Sequence, residues 1–379
     1  MPPGTTLVGG VAIAAVGLFA YALAIHPARP GVLNPPGWYG FFDQSHYLDL
    51  ARDLARANLP SPPSSYIYGL GYPALAVPFL KLRPGGDAFA IPDAIAFAAA
   101  MAMVAVLGRR LRSSGFGLAC AAAVALATPL LDTMVVPWNT TVTVVAVLAA
   151  LVVATSPGQV TWRGGLIIGL ATGMAFAARY LDALFPALIG ALALVRGTVG
   201  GRGRSRVLVA AAAGAVLVAI PVLATHAAVL GSPLKTPYSQ QEGRQGEGSN
   251  QQSLSNFEPQ RAPRNFLEVF VTGRTGTVRA EVDPIGRQFP WAALAPVGVA
   301  VLVRRRHRLA LPLGAAFAVS VLGSAIYLSY PGGSGAHLLF GNIHYWKAWF
   351  PLWGVLAAYA LAAAADHLAR RPQREAMTA

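Results

Sequence analysis

A carboxylate with aromatic neighbours opens a polar stretch near the start of the chain. Asp43 follows Phe42 and precedes His46 and Tyr47. One interpretation is a general base that takes the proton from a hydroxyl group while that oxygen attacks an anomeric carbon. The other is an N-cap, in which the carboxylate accepts a hydrogen bond from an early amide of a helix. A residue at a helix start can serve both purposes, so the sequence leaves both interpretations open.

Arg179 is a second residue whose type and position could serve chemistry. It ends an apolar run and is followed three residues later by Asp182. A guanidinium binds a lipid phosphate well, through two parallel charge-assisted hydrogen bonds. The alternatives are an ion pair with Asp182 and a side chain that extends to the membrane surface.

Polar groups also collect just before the last apolar run. His337, His344, Tyr345 and Lys347 lie there. An interfacial belt of aromatic residues with an extended lysine explains the tyrosine well and the histidines less well. We therefore expect His344 and Lys347 to contact a phosphate. His337 and Tyr345 are expected to contact the rest of the substrate.

The composition requires lipid around the elements that carry these residues. Of the 379 residues, 55% are hydrophobic and 12% are charged, with a mean hydropathy of +0.52, whereas an ordinary soluble domain is about 25% charged. The net charge of +14 comes from basic residues that punctuate apolar runs instead of forming a stripe, so we expect no nucleic-acid partner. The single cysteine, Cys120, excludes an intrachain disulfide and a structural cysteine metal site.

Ten apolar segments are candidate membrane-spanning helices, because about 20 apolar residues cross the hydrocarbon core. They lie near residues 5–25, 88–108, 115–131, 138–155, 164–179, 180–195, 207–230, 290–303, 309–328 and 346–365. We predict an all-α, polytopic protein in which residues 1–379 form a single transmembrane domain. The count is about ten, since several segments are short and the junction at Arg179 and Tyr180 could be a kinked helix or a re-entrant hairpin.

Arginine clusters set the predicted orientation. They occur at residues 109–112, 163, 196–206, 304–308 and 370–374. Short loops rich in Lys and Arg stay in the cytoplasm, and ten spans place all of these clusters on one side. We expect a multi-pass protein of the inner (plasma) membrane with both termini in the cytoplasm. Two long and nearly charge-balanced segments, 26–87 and 231–289, then face outward, and soluble chemistry should take place there.

The first outer loop should contain amphipathic surface helices. Tyr47, Leu50 and Leu54 recur at spacings of three and four, while charged residues occupy the other face. Such a helix would lie on the membrane surface. A second apolar helix should begin near the Gly-Tyr-Pro sequence at residues 71–73.

These motifs together resemble the polyprenyl-phosphate-dependent glycosyltransferases of the C superfamily, GT-C. The resemblance rests on the aromatic-Asp-x-x-His-Tyr pattern at residues 42–47, Gly-Tyr-Pro at 71–73, Arg-Tyr-Leu-Asp at 179–182 and the segment 231–238. The arrangement of spans and motifs resembles that of the family over the whole chain. The resemblance implies an inverting transfer of a hexose or pentose from a polyprenyl-phosphate donor, within membrane lipid, to a glycan, lipid or protein acceptor of the cell envelope at the outer face.

The resemblance also suggests roles for individual residues. Asp43 fits the position of the base, and His46 and Tyr72 belong to the motifs and are expected to contact substrate. Many members carry a second acidic residue where this chain has Gln44. This departure weakens the case for a divalent metal, so we expect no metal and no other cofactor. The chain beyond Arg374 is short, so we expect the loops to recognise the acceptor.

A transporter or flippase for a lipid-linked or small polar substrate is the main alternative, since polar residues at helix breaks can mark a substrate path. A noncatalytic scaffold for envelope assembly is a third possibility, and it would tolerate replacement of Asp43. The predicted spans contain few charges, and the notable polar residues cluster on the outer side. This asymmetry favours an enzyme that works at one face of the membrane.

Overall fold

The computed structural model describes residues 3–25, 42–83, 85–197, 201–237, 258–273, 284–329 and 343–378. Within these ranges the chain forms helices and turns and no strand, which confirms the all-α prediction. The α-helices of the described ranges are α1 (Pro3–Ile25), α2 (Phe42–Ala55), α3 (Gly71–Ala76), α4 (Ala90–Leu111), α5 (Ser114–Ala125), α6 (Thr128–Val135), α7 (Thr140–Ala154), α8 (Trp162–Ala178), α9 (Leu184–Gly197), α10 (Gly201–Leu230), α11 (Ala262–Phe266), α12 (Ile285–Gln288), α13 (Ala295–Arg304), α14 (Ala310–Leu328) and α15 (Phe350–Thr378).

Five of the described helices, α1, α4, α10, α14 and α15, are long and apolar enough to cross a membrane. The pair α5 and α6, bent by 67° at a short break, would add a sixth span if it crosses as one unit. The helices α7, α8, α9 and α13 are apolar but shorter. Each predicted segment therefore coincides with a helix or with the bent pair, while the count of about ten crossings stays a prediction.

The helices α8 and α9 form a hairpin. After Ala178 a 3₁₀ turn runs over Tyr180–Ala183, and α9 begins at Leu184. Gly190 of α9 lies directly against Ile168 of α8, since a Cβ on this glycine would come 2.4 Å from Ile168 Cγ2. Two helices that pack together on either side of so short a turn run antiparallel.

Small residues hold α8 against α10. Gly165, Gly169 and Gly173 face α10, and a Cβ on Gly169 would come 2.0 Å from the Ala211 carbonyl oxygen. Helices that meet through glycine can approach closely enough for extensive van der Waals contact in an apolar environment. This contact fixes α8 and therefore the position of Arg179, which follows its last residue.

The arginine-rich helix ends gather at one end of the molecule. Arg112 Nη2 pairs with Asp366 Oδ1 at 2.7 Å, and Arg305 Nη1 lies 3.9 Å from Asp366 Oδ2. Arg110 Nη1 donates to Thr155 Oγ1 at 2.8 Å, just beyond the end of α7. Clusters far apart in sequence thus share one end of the helical bundle, as expected if they face the same side of a membrane.

Candidate active site

Asp43 lies in the first turn of α2 and faces Tyr68, in the segment between α2 and α3. The Tyr68 hydroxyl donates a hydrogen bond to Asp43 Oδ1. Because α2 begins at Phe42, Asp43 lies inside the helix and not at the N-cap position. Burial raises the pKa of the Asp43 carboxyl above its usual range, and the Tyr68 hydrogen bond and the positive charge of Arg179 partly offset this effect. The carboxyl is therefore oriented, more basic than usual and within electrostatic range of Arg179.

The apolar face of α2 packs inward. Tyr47 and Leu50 are buried, whereas charged residues of the opposite face are exposed. The ring of Tyr47 meets those of Tyr68 and Tyr72 edge-on, with centroid distances of 5.0 and 5.3 Å. These contacts fix the rotation of α2 about its axis and so the direction of Asp43.

Two glycines bring the Tyr68 segment against the end of α8. A Cβ on Gly69 would lie 2.3 Å from the Ala177 carbonyl oxygen, and one on Gly71 would lie 2.7 Å from Ala177 Cβ. A larger residue at either position would force the two segments apart. The glycines therefore allow Tyr68 to lie next to the residues that precede Arg179.

We expect Gly69→Ala to destabilise the protein, because overpacking against a fixed backbone typically costs about 1–3 kcal/mol. Thermal unfolding in detergent should show a lower Tm than that of the wild type. Gly17→Ala is the matched control, since nothing lies within 4 Å of a Cβ built on Gly17 in α1 and alanine favours a helix over glycine. An unchanged Tm in Gly69→Ala would contradict the close contact with α8.

Arg179 is 8% exposed and lies against aromatic rings. Its guanidinium carbon is 4.4 Å from the ring centroid of Tyr345 and 5.4 Å from that of Tyr327. Such contacts favour the cation and hold the plane of the guanidinium. Its Nε lies 3.9 Å from Asp182 Oδ2, a long ion pair. Phosphates bind the edge of a guanidinium, so this orientation is compatible with phosphate binding.

Asp182 is buried and accepts hydrogen bonds from two hydroxyl groups. Thr143 Oγ1 donates to Oδ2 at 2.6 Å, and the Tyr327 hydroxyl donates to Oδ1 at 2.5 Å. The ion pair considered as an alternative role for Arg179 is thus present. It coexists with the aromatic contacts of the guanidinium, and Asp182 helps to orient both Arg179 and Tyr327.

Tyr345 and His344 lie beside Arg179. Tyr345 stacks on Tyr327 with ring centroids 4.8 Å apart. His344 is buried, stacks on Trp138 at 3.7 Å and meets Tyr345 edge-on at 4.5 Å. Tyr345 therefore contacts Arg179 directly, whereas His344 contacts Tyr345.

Lys347 is fully buried and points into the helical bundle. Its Nζ donates to the Thr133 carbonyl and to Thr141 Oγ1, both at 2.8 Å, and its charge interacts with that of Asp93. Its ammonium thus holds α6 and α7 together in this structure. We therefore leave Lys347 out of the proposed phosphate site, although the sequence predicted it there with Arg179.

Tyr72 also points into the protein. It is buried, donates from its hydroxyl to Asp93 Oδ2 at 2.8 Å and stacks on Phe89 with ring centroids 4.8 Å apart. In this arrangement Tyr72 anchors α3 to α4. The substrate contact predicted for it stays a prediction.

His46 lies one helical turn after Asp43 in α2. Its ring lies 6.2 Å from that of Tyr68, and it lines a cavity of about 570 Å³ on the polar face of α2. His337, the remaining predicted substrate contact, lies outside the described residues.

Whether a metal ion could bind beside Asp43 depends in part on the next residue, Gln44. Gln44 is buried and its Nε2 donates to the Pro137 carbonyl at 3.1 Å. Within the described ranges, no group of three or more His, Cys, Asp or Glu side chains lies close enough together to hold a metal ion. That the protein needs no cofactor stays a prediction.

The sequence did not single out Tyr68, Asp93 or Tyr327 as site residues. Asp93 could have been identified from the sequence most easily, because a carboxylate in an apolar helix is rare unless it has partners. Tyr68 lies shortly before the Gly-Tyr-Pro sequence but has no distinguishing pattern of its own. Tyr327 has no signal either, since aromatic residues are common at the ends of spans.

No protein-family model and no curated protein matches the sequence. Solved structures do match the fold. ArnT from Cupriavidus metallidurans bound to undecaprenyl phosphate superposes with a TM-score of 0.60 at 14% identity, over 94% of this chain and 60% of that chain. The apo state of the same protein superposes with a TM-score of 0.59 at 13% identity. The apo oligosaccharyltransferase of Archaeoglobus fulgidus superposes with a TM-score of 0.54 at 15% identity, over 98% of this chain and 52% of that chain.

These similarities show that the chain shares the fold of ArnT and of the oligosaccharyltransferase, which are GT-C glycosyltransferases. The predicted resemblance is therefore confirmed at the level of the fold. In particular, the chain is similar to ArnT and spans 60% of its length.

Proposed function

We propose that this protein is a membrane glycosyltransferase that moves a sugar from a polyprenyl-phosphate donor to an envelope acceptor at the outer face. Asp43 is the general base, and Arg179 holds the donor phosphate with the help of Tyr345 and His344. The observation that carries the proposal is a chain of contacts: the Tyr68 hydroxyl donates to Asp43, and the next residue, Gly69, packs on the two carbonyl groups that precede Arg179. The positive charge of Arg179 also acts on the Asp43 carboxyl. The fold shared with ArnT and the oligosaccharyltransferase supports it.

The two groups suit the two halves of a glycosyl transfer. The acceptor hydroxyl gives its proton to Asp43 as its oxygen forms a bond to the anomeric carbon of the donor. The bond between that carbon and the phosphate oxygen breaks, and the lipid phosphate leaves with the bonding electrons. Arg179 stabilises the negative charge that develops on the leaving phosphate. Attack opposite the leaving group inverts the anomeric configuration.

An apolar cavity offers a place for the lipid part of the donor. It has a volume of about 630 Å³ and is lined by Phe266, Phe270 and Leu328, among others. Phe270 meets Trp346 edge-on at 5.8 Å, and Trp346 in turn lies 6.4 Å from Tyr327, which contacts Arg179. An isoprenoid chain in this cavity would run from the membrane towards the phosphate site.

The distribution of charge supports reaction at the outer face. The candidate site lies at the end of the bundle opposite the arginine-rich helix ends, since Asp93 near the start of α4 is on the site side and Arg110 near its end is not. Loops rich in arginine face the cytoplasm. We therefore propose cytoplasmic termini, an inner-membrane location and a site that opens outward.

A transfer assay tests the proposed function. Purified protein in nanodiscs would be incubated with a panel of radiolabelled polyprenyl-phosphate sugars and extracted envelope acceptors. We expect label to move from the lipid fraction to the acceptor fraction with at least one donor. Failure of transfer with every donor, in protein that is folded by its thermal unfolding profile, would overturn the proposal.

Removal of the Tyr68 hydroxyl should move the acidic limb of the pH profile. The Tyr68 hydrogen bond lowers the pKa of Asp43, so Tyr68→Phe should raise that pKa further. A general base acts only when ionised, and activity is lost as the pH falls through its pKa. In Tyr68→Phe the decline of kcat/KM should therefore begin at a higher pH than in the wild type.

The control is Tyr359→Phe, which removes a hydroxyl from α15, where Tyr359 packs against Phe116 and His307. Its pH profile should match that of the wild type. An acidic limb that stays in place, or moves to lower pH, in Tyr68→Phe would exclude Asp43 as the titrating base.

A further inference from the structure

A cavity of about 570 Å³ lies on the polar face of α2, and its lining begins at His46, one helical turn after the candidate base. Ligand sites for small molecules commonly have volumes of about 300–1,000 Å³, so it can hold more than a single functional group. Its polar lining includes His46, Asp49, Arg52, Asp53, Arg56 and Ser65.

Among the described residues, the charges of this lining balance. They include two carboxylates, Asp49 and Asp53, and two guanidinium groups, Arg52 and Arg56. Asp49 Oδ1 and Arg52 Nη1 are 3.4 Å apart, and both side chains are substantially exposed. A balanced lining gives no net attraction to an anionic or a cationic ligand. Leu50 is the one apolar side chain among the described residues of the lining, and this polar lining does not suit a lipid chain.

The same lining suits vicinal hydroxyl groups. Carboxylates accept hydrogen bonds, guanidinium groups donate them, and hydroxyl side chains such as that of Ser65 do both. A sugar carries donors and acceptors in pairs around a ring, which matches this mixture. Hydrogen bonds that involve one charged partner are also stronger than those between neutral groups.

The position of the cavity connects it with the chemistry. His46 lines the cavity and lies one helical turn after Asp43. Its ring is 6.2 Å from that of Tyr68, whose hydroxyl donates to Asp43. A ligand held against His46 therefore has its nearest hydroxyl groups close to the base.

We propose that this cavity binds the acceptor and that the acceptor is a neutral carbohydrate. This inference rests on the proposed function and narrows its acceptor from a glycan, lipid or protein to a glycan without charged groups. Binding of the glycan orders a hydroxyl next to Asp43, and Arg179 on the other side of the base holds the donor.

Saccharide binding to full-length protein in nanodiscs tests this directly, by isothermal titration without any donor present. The probes are neutral tetrasaccharides of mannose, glucose and arabinose, with a tetragalacturonate and a serine-containing peptide for comparison. We expect at least one neutral probe to bind more tightly than both comparison probes. Asp53→Asn and Arg56→Gln should each weaken that binding about tenfold or more, as loss of a charged hydrogen-bond partner usually does.

Asp87→Asn is the matched control, because Asp87 is an acid of the same loop that pairs with Arg83 and does not line the cavity. It should bind the neutral probe as the wild type does. Preference for the galacturonate or the peptide, no saccharide binding, or equal weakening in the control would overturn the inference.

A separate measurement of donor consumption distinguishes failure of this inference from failure of the proposed function on which it rests. Asp43-dependent release of polyprenyl phosphate without saccharide binding would leave the glycosyltransferase in place and remove the carbohydrate cavity. Saccharide binding without turnover of any donor would keep the cavity and remove the transferase.

Discussion

Asp43→Asn should lower the rate of sugar transfer about 10²–10⁴-fold, the usual contribution of a general base. Asparagine has the shape of aspartate and can still accept the Tyr68 hydrogen bond, but it cannot take a proton from the acceptor. The loss should therefore appear in kcat, with little change in the KM for the donor. Initial rates at saturating donor, measured with the donor that the wild type uses, would show it.

Asp87→Asn also serves as the control for this change, since it removes a half-buried carboxylate of the same loop that pairs with Arg83. It should transfer at the wild-type rate. If Asp43→Asn retained full activity with an unchanged Tm, Asp43 would have only a structural role in α2 and the base would have to be another residue.

Arg179→Gln should lower kcat/KM for the donor about 10²–10³-fold, the range seen when a group that stabilises charge in the transition state is removed. Glutamine keeps part of the side-chain length but loses the positive charge. It also loses the planar fork that Tyr345 and Tyr327 hold in place. Kinetics as a function of donor concentration would show the loss in both KM and kcat, since the phosphate is bound before it leaves.

Arg163→Gln is the control for this change, because Arg163 lies at the other end of α8, over the ring of Trp162. It should behave as the wild type. Arg179→Lys should be intermediate, since lysine keeps the charge but cannot bind a phosphate bidentately. Wild-type kinetics in Arg179→Gln, with only a lower Tm, would assign Arg179 to the stability of the hairpin of α8 and α9.

Local patterns in the sequence were sufficient to predict α2 and the apolar helices, but not α11 and α12. The spacing of Tyr47, Leu50 and Leu54 predicted α2, and its inward face is the one with Tyr47 and Leu50. Apolar runs predicted the helical segments, since hydrophobicity over about 20 residues is a local property. The short runs α7, α8 and α9 show why the number of crossings could not be counted in the same way.

Contacts between distant segments could not be predicted, because they depend on tertiary packing. No local pattern indicated that Gly69 would lie against Ala177 and so bring Tyr68 near the residues that precede Arg179. Lys347 is the opposite case: an outer-loop lysine looked available to a phosphate, but the fold buries its ammonium on Thr133 and Thr141. Only the three-dimensional structure separates a cation at the surface from one in the core.

The most direct test of the central claim follows the donor itself in proteoliposomes. The donor would be a polyprenyl-phosphate sugar with ¹³C at the anomeric carbon, supplied with envelope acceptors, and its fate would be read by mass spectrometry and NMR. Our account predicts that free polyprenyl phosphate and glycosylated acceptor form in equal amounts, with the anomeric configuration inverted. Intact donor that crosses the bilayer without cleavage of its sugar–phosphate bond would contradict it and indicate a flippase.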